Sequence, residues 1–476
     1  MKLRLIALAA LTGCASIVSV RAADGTLSLD EARRRRASFA VQHPRFVLHR
    51  ISEIQMRFIQ CLWLSAALAL AAAAAHAQSL SLQDAQRRAV ERSQQVVAQN
   101  AAVTASREMA AAAGQLPDPV LKIGVDNLPV NGPDQFSVTR DFMTMRRIGV
   151  MQELTRGEKR ELRAQRFDRE AEKSVAEKAA AIASIQRNTA LTWLDRYYAE
   201  AMAAVIVEQA EQVRTEIVAA EGAYRGGRGS QADVIAAHST LAGLEDRASE
   251  FRRRVLTATT NLARWIGEGA EAPLAQRPAI DAIRLDSGAL DRDLAHHPEI
   301  IILAKQQEIA ATEARLAQAG RTPDWSVEIA YQQRGPAFSN MVSLGVSVPL
   351  PWDRANRQDR EIASKLAIAE QARAQREEML RAHLGEVRAM IAEWQNGRER
   401  LARYERDLVP LARERARAAL AGYQGGKTGI ADLLLARRNE TEVRMQAVQL
   451  EMETARLWAQ LNFLVPDGAS HTGDGK

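Results

Sequence analysis

Residues 320–348 read GRTPDWSVEIAYQQRGPAFSNMVSLGVSV, and this stretch decides the fold. From Met341 to Val348 the alternation is strict. Val342, Leu344, Val346 and Val348 share one face, and Ser343, Gly345 and Ser347 share the other. In the preceding run, Trp325, Val327, Ile329 and Tyr331 oppose Ser326, Glu328, Ala330 and Gln332. Period two with one apolar face and one small or polar face is the pattern of a half-buried strand. The apolar face suits a soluble core, or it suits lipid while the other face lines a watery lumen. Trp325 and Tyr331 lie about 20 Å apart along a strand, which suits two aromatic girdles.

The landmarks of this stretch occur twice. Gly320-Arg321-Thr322-Pro323-Asp324 echoes Gly114-Gln115-Leu116-Pro117-Asp118, and Leu344-Gly345-Val346 echoes Ile148-Gly149-Val150. Gly422-Tyr423-Gln424-Gly425-Gly426 echoes Ala223-Tyr224-Arg225-Gly226-Gly227, and the two motifs lead to Asp432 and Asp233. Three landmarks in one order identify an internal duplication. Each half reads helix, strand, strand, long helix, tip, helix. In the first half Leu121, Ile123 and Val125 alternate with Lys122, Gly124 and Asp126, and Ile148 and Val150 alternate with Gly149 and Met151. The expected strands are about 118–128, 142–154, 324–333 and 341–350. The tips are expected at about 224–233 and 423–432.

Between Pro133 and Pro273 there is no proline. The pattern predicts one helix over about 158–223, roughly 100 Å long, and another over about 231–266. Leu191, Leu194, Tyr198, Ala201 and Val205 are spaced three and four apart, as are Leu380, Leu384, Val387, Ile391 and Trp394. These are coiled-coil-like seams that need partners. Pro410 is expected to kink the second long helix. The glycine pairs reverse the chain, so each half is a helical hairpin with strands at its far end. Four strands cannot close a membrane barrel, and unpaired edges in lipid are costly. The barrel must be shared between chains; two copies supply eight strands and three supply twelve.

The order of elements, the duplication and the tips resemble the TolC family of outer-membrane factors from about Ser79 to Pro466. That resemblance implies a mainly α fold with a membrane β-barrel contribution. It is built from a duplicated helix–strand–strand–long-helix hairpin unit with four strands per protomer, in a trimeric α/β-barrel channel. It implies a location in the cell outer membrane, with a helical tunnel in the periplasm. The partners implied are two further copies of the chain, outer-membrane lipid, a periplasmic adaptor and, through it, an inner-membrane RND-type pump. Tyr423-Gln424-Gly425-Gly426-Lys427-Thr428-Gly429-Ile430-Ala431-Asp432 is similar to the family's periplasmic turn. The resemblance assigns Asp432 and Tyr423 to the gate, with Asp233 and Tyr224 as equivalents in the other hairpin. It assigns Tyr224, Gly226, Gly227, Gly425, Gly426 and Lys427 to adaptor-contacting tips. A second family aspartate is Leu435 here. Asp432 also reads as a helix-capping or first-turn residue.

The stretch LPDPVLKIGVDNLPVNGPDQFSVTRDFMTMRRIGVMQEL resembles the heavy-metal branch, the CzcC- and CusC-like proteins. Met143, Met145 and Met151 share parity with Gly149, the expected lumen side, and thioether sulfur suits Cu(I) or Ag(I). The same methionines also read as flexible filler. His296-His297 before Pro298 reads as a cap or hinge. A duct for drugs or secreted protein is the alternative cargo, and a periplasmic coiled-coil adaptor the alternative class. An adaptor would lack two strand pairs with a lipid-compatible face.

The N-terminus carries two export signals. Arg57, the apolar run Cys61–Ala75 and Ala75-His76-Ala77 form a secretory signal at 56–77, with 1–55 as a non-structural extension. The competing reading begins at Met1 and places a lipid anchor on Cys14. The repeats then occupy 78–283 and 284–466, and 467–476 is a disordered tail. No cysteine follows Cys61, so no disulfide framework is expected. The chain is 26% charged with a net charge of +6, and its charges alternate in sign along the helices, which disfavours nucleic acid. No HExxH, GxSxG, P-loop or dinucleotide fingerprint occurs, so neither an enzyme nor a cofactor is expected.

Overall fold

The computed structural model describes residues 79–286 and 288–464. The extension 1–55, the signal segment 56–77, Cys14 and the tail 467–476 lie outside the described residues. The first half runs through α1 (Leu82–Arg92), α2 (Gln94–Ala113), β1 (Val120–Asp126), β2 (Met145–Leu154), α3 (Gly157–Arg225) and α4 (Gln231–Ile266). The second runs through α5 (Leu290–Ala295), α6 (Pro298–Ala319), β3 (Trp325–Gln333), β4 (Met341–Ser347), α7 (Gln358–Arg403), α8 (Val409–Gln424) and α9 (Ile430–Asn462). The order expected from the duplication is present in both halves.

Helix α3 is continuous over 69 residues, about 100 Å at 1.5 Å per residue. Its counterpart is not. A π-helical turn, Tyr404–Leu408, separates α7 from α8, and the Val409 N–H bonds back to the Tyr404 carbonyl. Pro410 has no N–H to give, and its ring would strike a carbonyl four residues earlier. One extra residue in the turn relieves that clash, so the expected kink takes the form of a π turn.

Two apolar clusters hold the hairpins together. The larger joins Trp193, Leu194 and Tyr198 of α3 to Leu262 of α4, Val387, Ile391 and Trp394 of α7, and Trp458 of α9. Burying each large side chain stabilises by roughly 1.5–3 kcal/mol. Three indole N–H groups fix connecting segments to this core: Trp193 donates to Leu80 O, Trp394 to Ile280 O and Trp458 to Ala282 O. The smaller cluster lies toward the tips and joins Val213 and Ile217 to Ala237, Leu244, Ile430 and Leu434. Of the seam expected on α3, Leu194, Tyr198 and Val205 are buried and Leu191 and Ala201 half-buried; Trp193, Met202 and Ile206 complete it.

The four strands form one antiparallel sheet in the order β1-β2-β3-β4. Strand β2 of the first half pairs with β3 of the second, with Gly149 opposite Ala330. Leu121, Ile123, Ile148, Val150, Ile329, Tyr331, Leu344 and Val346 lie on one face by register, and all are exposed. Ile123 and Leu344 are 74% and 73% exposed. No described helix packs on this face. Among the described residues, the outer edges of β1 and β4 carry no partner strand.

The strand limits need two corrections. Strand β2 begins at Met145, not near 142, because the Asp141 carboxylate accepts the N–H groups of Met143 and Thr144 and holds them in a turn. Strand β4 ends at Ser347, although Val348 and Leu350 beyond it stay exposed.

Candidate functional site

Two regions concentrate polar side chains: the second face of the sheet, and the hairpin tips. On the sheet, Lys122, Arg147, Glu328 and Asp126 form a chain of charges. Lys122 Nζ lies 2.7 Å from Glu328 Oε2, Arg147 pairs with Glu328, and Arg147 Nη1 lies 3.8 Å from Asp126 Oδ2. Lys122 belongs to β1 and Glu328 to β3, so the bridge passes over β2. It can do so because Gly149 stands opposite Lys122 and presents no side chain. A Cβ there would sit 2.7 Å from Ala330 Cβ and 2.9 Å from Ile329 O. At the matching position in the second half, a Cβ on Gly345 would meet only Glu328 Cβ, at 3.9 Å.

Met145 and Met151 are on this polar face, opposite Asp126 and Val120. They stand about 20 Å apart along the strand, too far to hold one ion. Met143 is not on the strand. It is exposed in the loop that joins β1 to β2, which corrects the parity expected for it.

Each tip is a Schellman turn. Gly227 and Gly426 adopt φ of 71° and 68°, the left-handed conformation such turns require. Arg228 N donates to Ala223 O and Gly227 N to Tyr224 O; Lys427 N donates to Gly422 O and Gly426 N to Tyr423 O. Gly226, Gly425 and Lys427 are exposed.

The two tip aspartates then differ. Asp233 forms a capping box with Ser230: its Oδ2 accepts the Ser230 N–H at 2.9 Å, and its own N–H donates to Ser230 Oγ. Those bonds from Ser230 hold the Asp233 carboxyl below the usual carboxylate range. The spacing Ser230-x-x-Asp233 is a legible capping signal that the gate assignment overlooked. Asp432 occupies the same helix position, but its N-cap is Gly429, which has no side chain to bond. Asp432 is exposed and has no hydrogen-bond or ion-pair partner among the described residues. The tyrosines differ as well. Tyr224 is exposed, whereas Tyr423 packs against the smaller cluster. Burial, followed by the charges of Asp233 and Glu216, raises the Tyr423 hydroxyl above its ordinary range. Leu435 is exposed.

Behind the tips the sequence reading missed a buried ion cluster between α3 and α9. Arg437 Nε bonds Glu216 Oε1 at 2.9 Å, and its Nη1 bonds Glu440 Oε2 at 3.2 Å. Glu216 and Glu440 are both 5% exposed. One guanidinium serves two carboxylates, and Glu216 Oε2 is left without a partner. Burial pushes the Glu216 carboxyl up, against the pull of Arg437. His297 Nδ1 accepts the Glu299 N–H at the start of α6, so it is a cap. Burial and the neighbouring His383 hold its pKa down at about 4. His296 instead bonds Arg292 O.

An exposed apolar sheet face, two free sheet edges and long helical hairpins define the class of fold: a mainly helical chain carrying one small four-stranded antiparallel sheet. Residues 289–465 match the family model described as "Outer membrane efflux protein". Among solved structures it is similar to the outer-membrane channel OprN, with a TM-score of 0.69 and 18% identity over 81% of this chain and 90% of that one. It is similar to VceC from Vibrio cholerae, with a TM-score of 0.66 and 19% identity over 80% and 95%. It is also similar to CusC, with a TM-score of 0.69 and 15% identity over 80% and 91%. At these identities the likeness is one of fold. No curated protein matches the chain.

Proposed function

We propose that three copies of this chain form a passive export duct of a tripartite efflux system. The twelve-stranded barrel lies in the outer membrane, and the hairpins reach through the periplasm to an adaptor and an inner-membrane RND-type pump. One observation carries this reading: a four-stranded sheet exposes its apolar face and leaves both edges open. In water such a face would be buried, and in lipid every edge needs a partner. Only further copies of the same kind supply both. Heat-resistant trimers extracted from outer membranes support the duct; a monomer in the soluble fraction overturns it.

The gate lies at the tips. Three copies of the unpaired Asp432 at a constriction repel one another and attract cations. Tyr423, packed against the first hairpin near Asp233, holds the second hairpin in the closed arrangement. Adaptor docking on the exposed glycine turns biases an iris-like opening.

The cargo proposed is heavy-metal cations, copper or silver. Its support is the resemblance of residues 116–154 and the thioethers of Met145 and Met151 on the lumen face. Their separation makes them passing contacts and not a resident site. A deletion strain should become sensitive to copper or silver and not to hydrophobic drugs; the reverse pattern overturns this cargo.

A further inference from the structure

The duplication also fixes how neighbouring copies meet. Within each half the hairpin register is the same: Lys122 faces Gly149 in the first, and Glu328 faces Gly345 in the second. Lys122 and Glu328 are therefore equivalent, as are Gly149 and Gly345. The β2–β3 seam joins the second strand of one repeat to the first strand of the next, and places Gly149 opposite Ala330. Around a closed ring of repeats, the same kind of seam recurs where β4 of one copy meets β1 of another. The equivalent of Ala330 in the first repeat is Gly124. We infer that β4 of one copy pairs antiparallel with β1 of a second copy, with Gly345 opposite Gly124.

This register places Val346 against Ile123 and Leu344 against Val125, so the apolar face continues unbroken across the seam. It sets Ser347 against Lys122 and Ser343 against Asp126 on the polar face. A slip by one residue would set Val346 against the polar side of its neighbour and interrupt both faces.

A second contact at the base of the sheet follows from the same equivalence. Asp324, just before β3, accepts the Arg156 N–H at 3.0 Å and pairs with Lys159 Nζ at 2.8 Å, where α3 begins. Its equivalent is Asp118, just before β1. Counted from the helix caps, the equivalents of Arg156 and Lys159 are Arg357 and Arg360 at the start of α7. Asp118 and Arg360 are exposed and have no hydrogen-bond or ion-pair partner among the described residues. Asp118 of one copy therefore meets Arg357 and Arg360 of the next.

The inference rests on the duct reading, and its test separates the two. Residues 79–476 contain no cysteine, so paired substitutions report cleanly. Ser343→Cys with Asp126→Cys stands in register, while Ser347→Cys with Asp126→Cys is displaced by about 13 Å along the strand, beyond disulfide reach. Oxidised outer membranes should show loss of monomer to covalent trimer for the first pair only. Intact trimers in which the first pair stays unlinked, or the second links as well, overturn the register and leave the duct standing. Absence of trimers in the wild-type protein overturns both. Asp118→Arg should lower the temperature at which trimers dissociate, and adding Arg360→Asp should restore it; no change in either variant removes the basal contact.

Discussion

The two repeats share a plan and differ in chemistry at the same positions. At the tips, Ser230 locks Asp233 into a cap, whereas Gly429 leaves Asp432 free. Five residues on, His238 is exposed beside Glu221, whereas Arg437 is half-buried between the buried Glu216 and Glu440. Along the long arms, α3 is unbroken, whereas α7 and α8 are separated by a π turn. The first hairpin has the unbroken long helix and a capping box at its tip. The second docks on it through a buried ion cluster and keeps an uncommitted carboxylate at its end. Duplication supplied the frame, and divergence gave equivalent positions of the two hairpins different chemistry.

The largest expected difference lies in the ion cluster. Arg437→Ala leaves two carboxylates buried without a cation and should cost about 3–5 kcal/mol; His238→Ala, at the exposed equivalent, should cost almost nothing. Denaturant titration of both variants reads the contrast, and equal losses would dissolve it. The glycines come next. Gly149→Val forces a side chain into Ala330 and Ile329 at the seam between repeats, a loss on the order of 3 kcal/mol. Within its own chain Gly345→Ala meets only ordinary contact distance and should leave the stability of the single chain nearly unchanged.

The caps of α2 and α6 give a pH comparison. Ser93 caps α2 and does not titrate; His297 caps α6 and does. His297 has a pKa of about 4 when folded against 6.5 when unfolded. The unfolded chain therefore binds more protons between these values, and stability falls as pH drops from 6.5 to 4. The full loss is about 3 kcal/mol. His297→Ser should flatten that part of the melting-temperature profile, and an unchanged profile would remove His297 as its source. The smallest effect is at the tip caps: Ser230→Ala should cost about 1 kcal/mol, and Gly429→Ser should gain roughly as much by giving Asp432 a capping box. If Gly429→Ser also reduces cation conductance, the freedom of Asp432 is part of the gate.

What the sequence made legible was whatever depends on local period and order: the strands, the long helices, the glycine turns and the duplication. Alternation in Met341–Val348 carries its own reading, because side-chain parity needs no knowledge of partners. The rest depended on which elements meet. Arg437 and Glu216 are far apart in the chain, and nothing local marks Glu216 as buried or Arg437 as its partner. Gly149 matters because Ala330 lies across a seam between repeats. Met143 was misplaced because the Asp141 side chain competes with the ladder for its N–H. The π turn adds one residue to the helical repeat, and only the altered backbone bonding displays it.

The open edges have a consequence for biogenesis. A single unassembled chain shows two rows of unsatisfied backbone groups beside a greasy surface, the template on which stray strands aggregate. If its partners are further copies of the chain, as proposed, the yield of ducts should fall steeply when expression is low. A holdase that shields the sheet until siblings arrive would then govern how many ducts the cell makes.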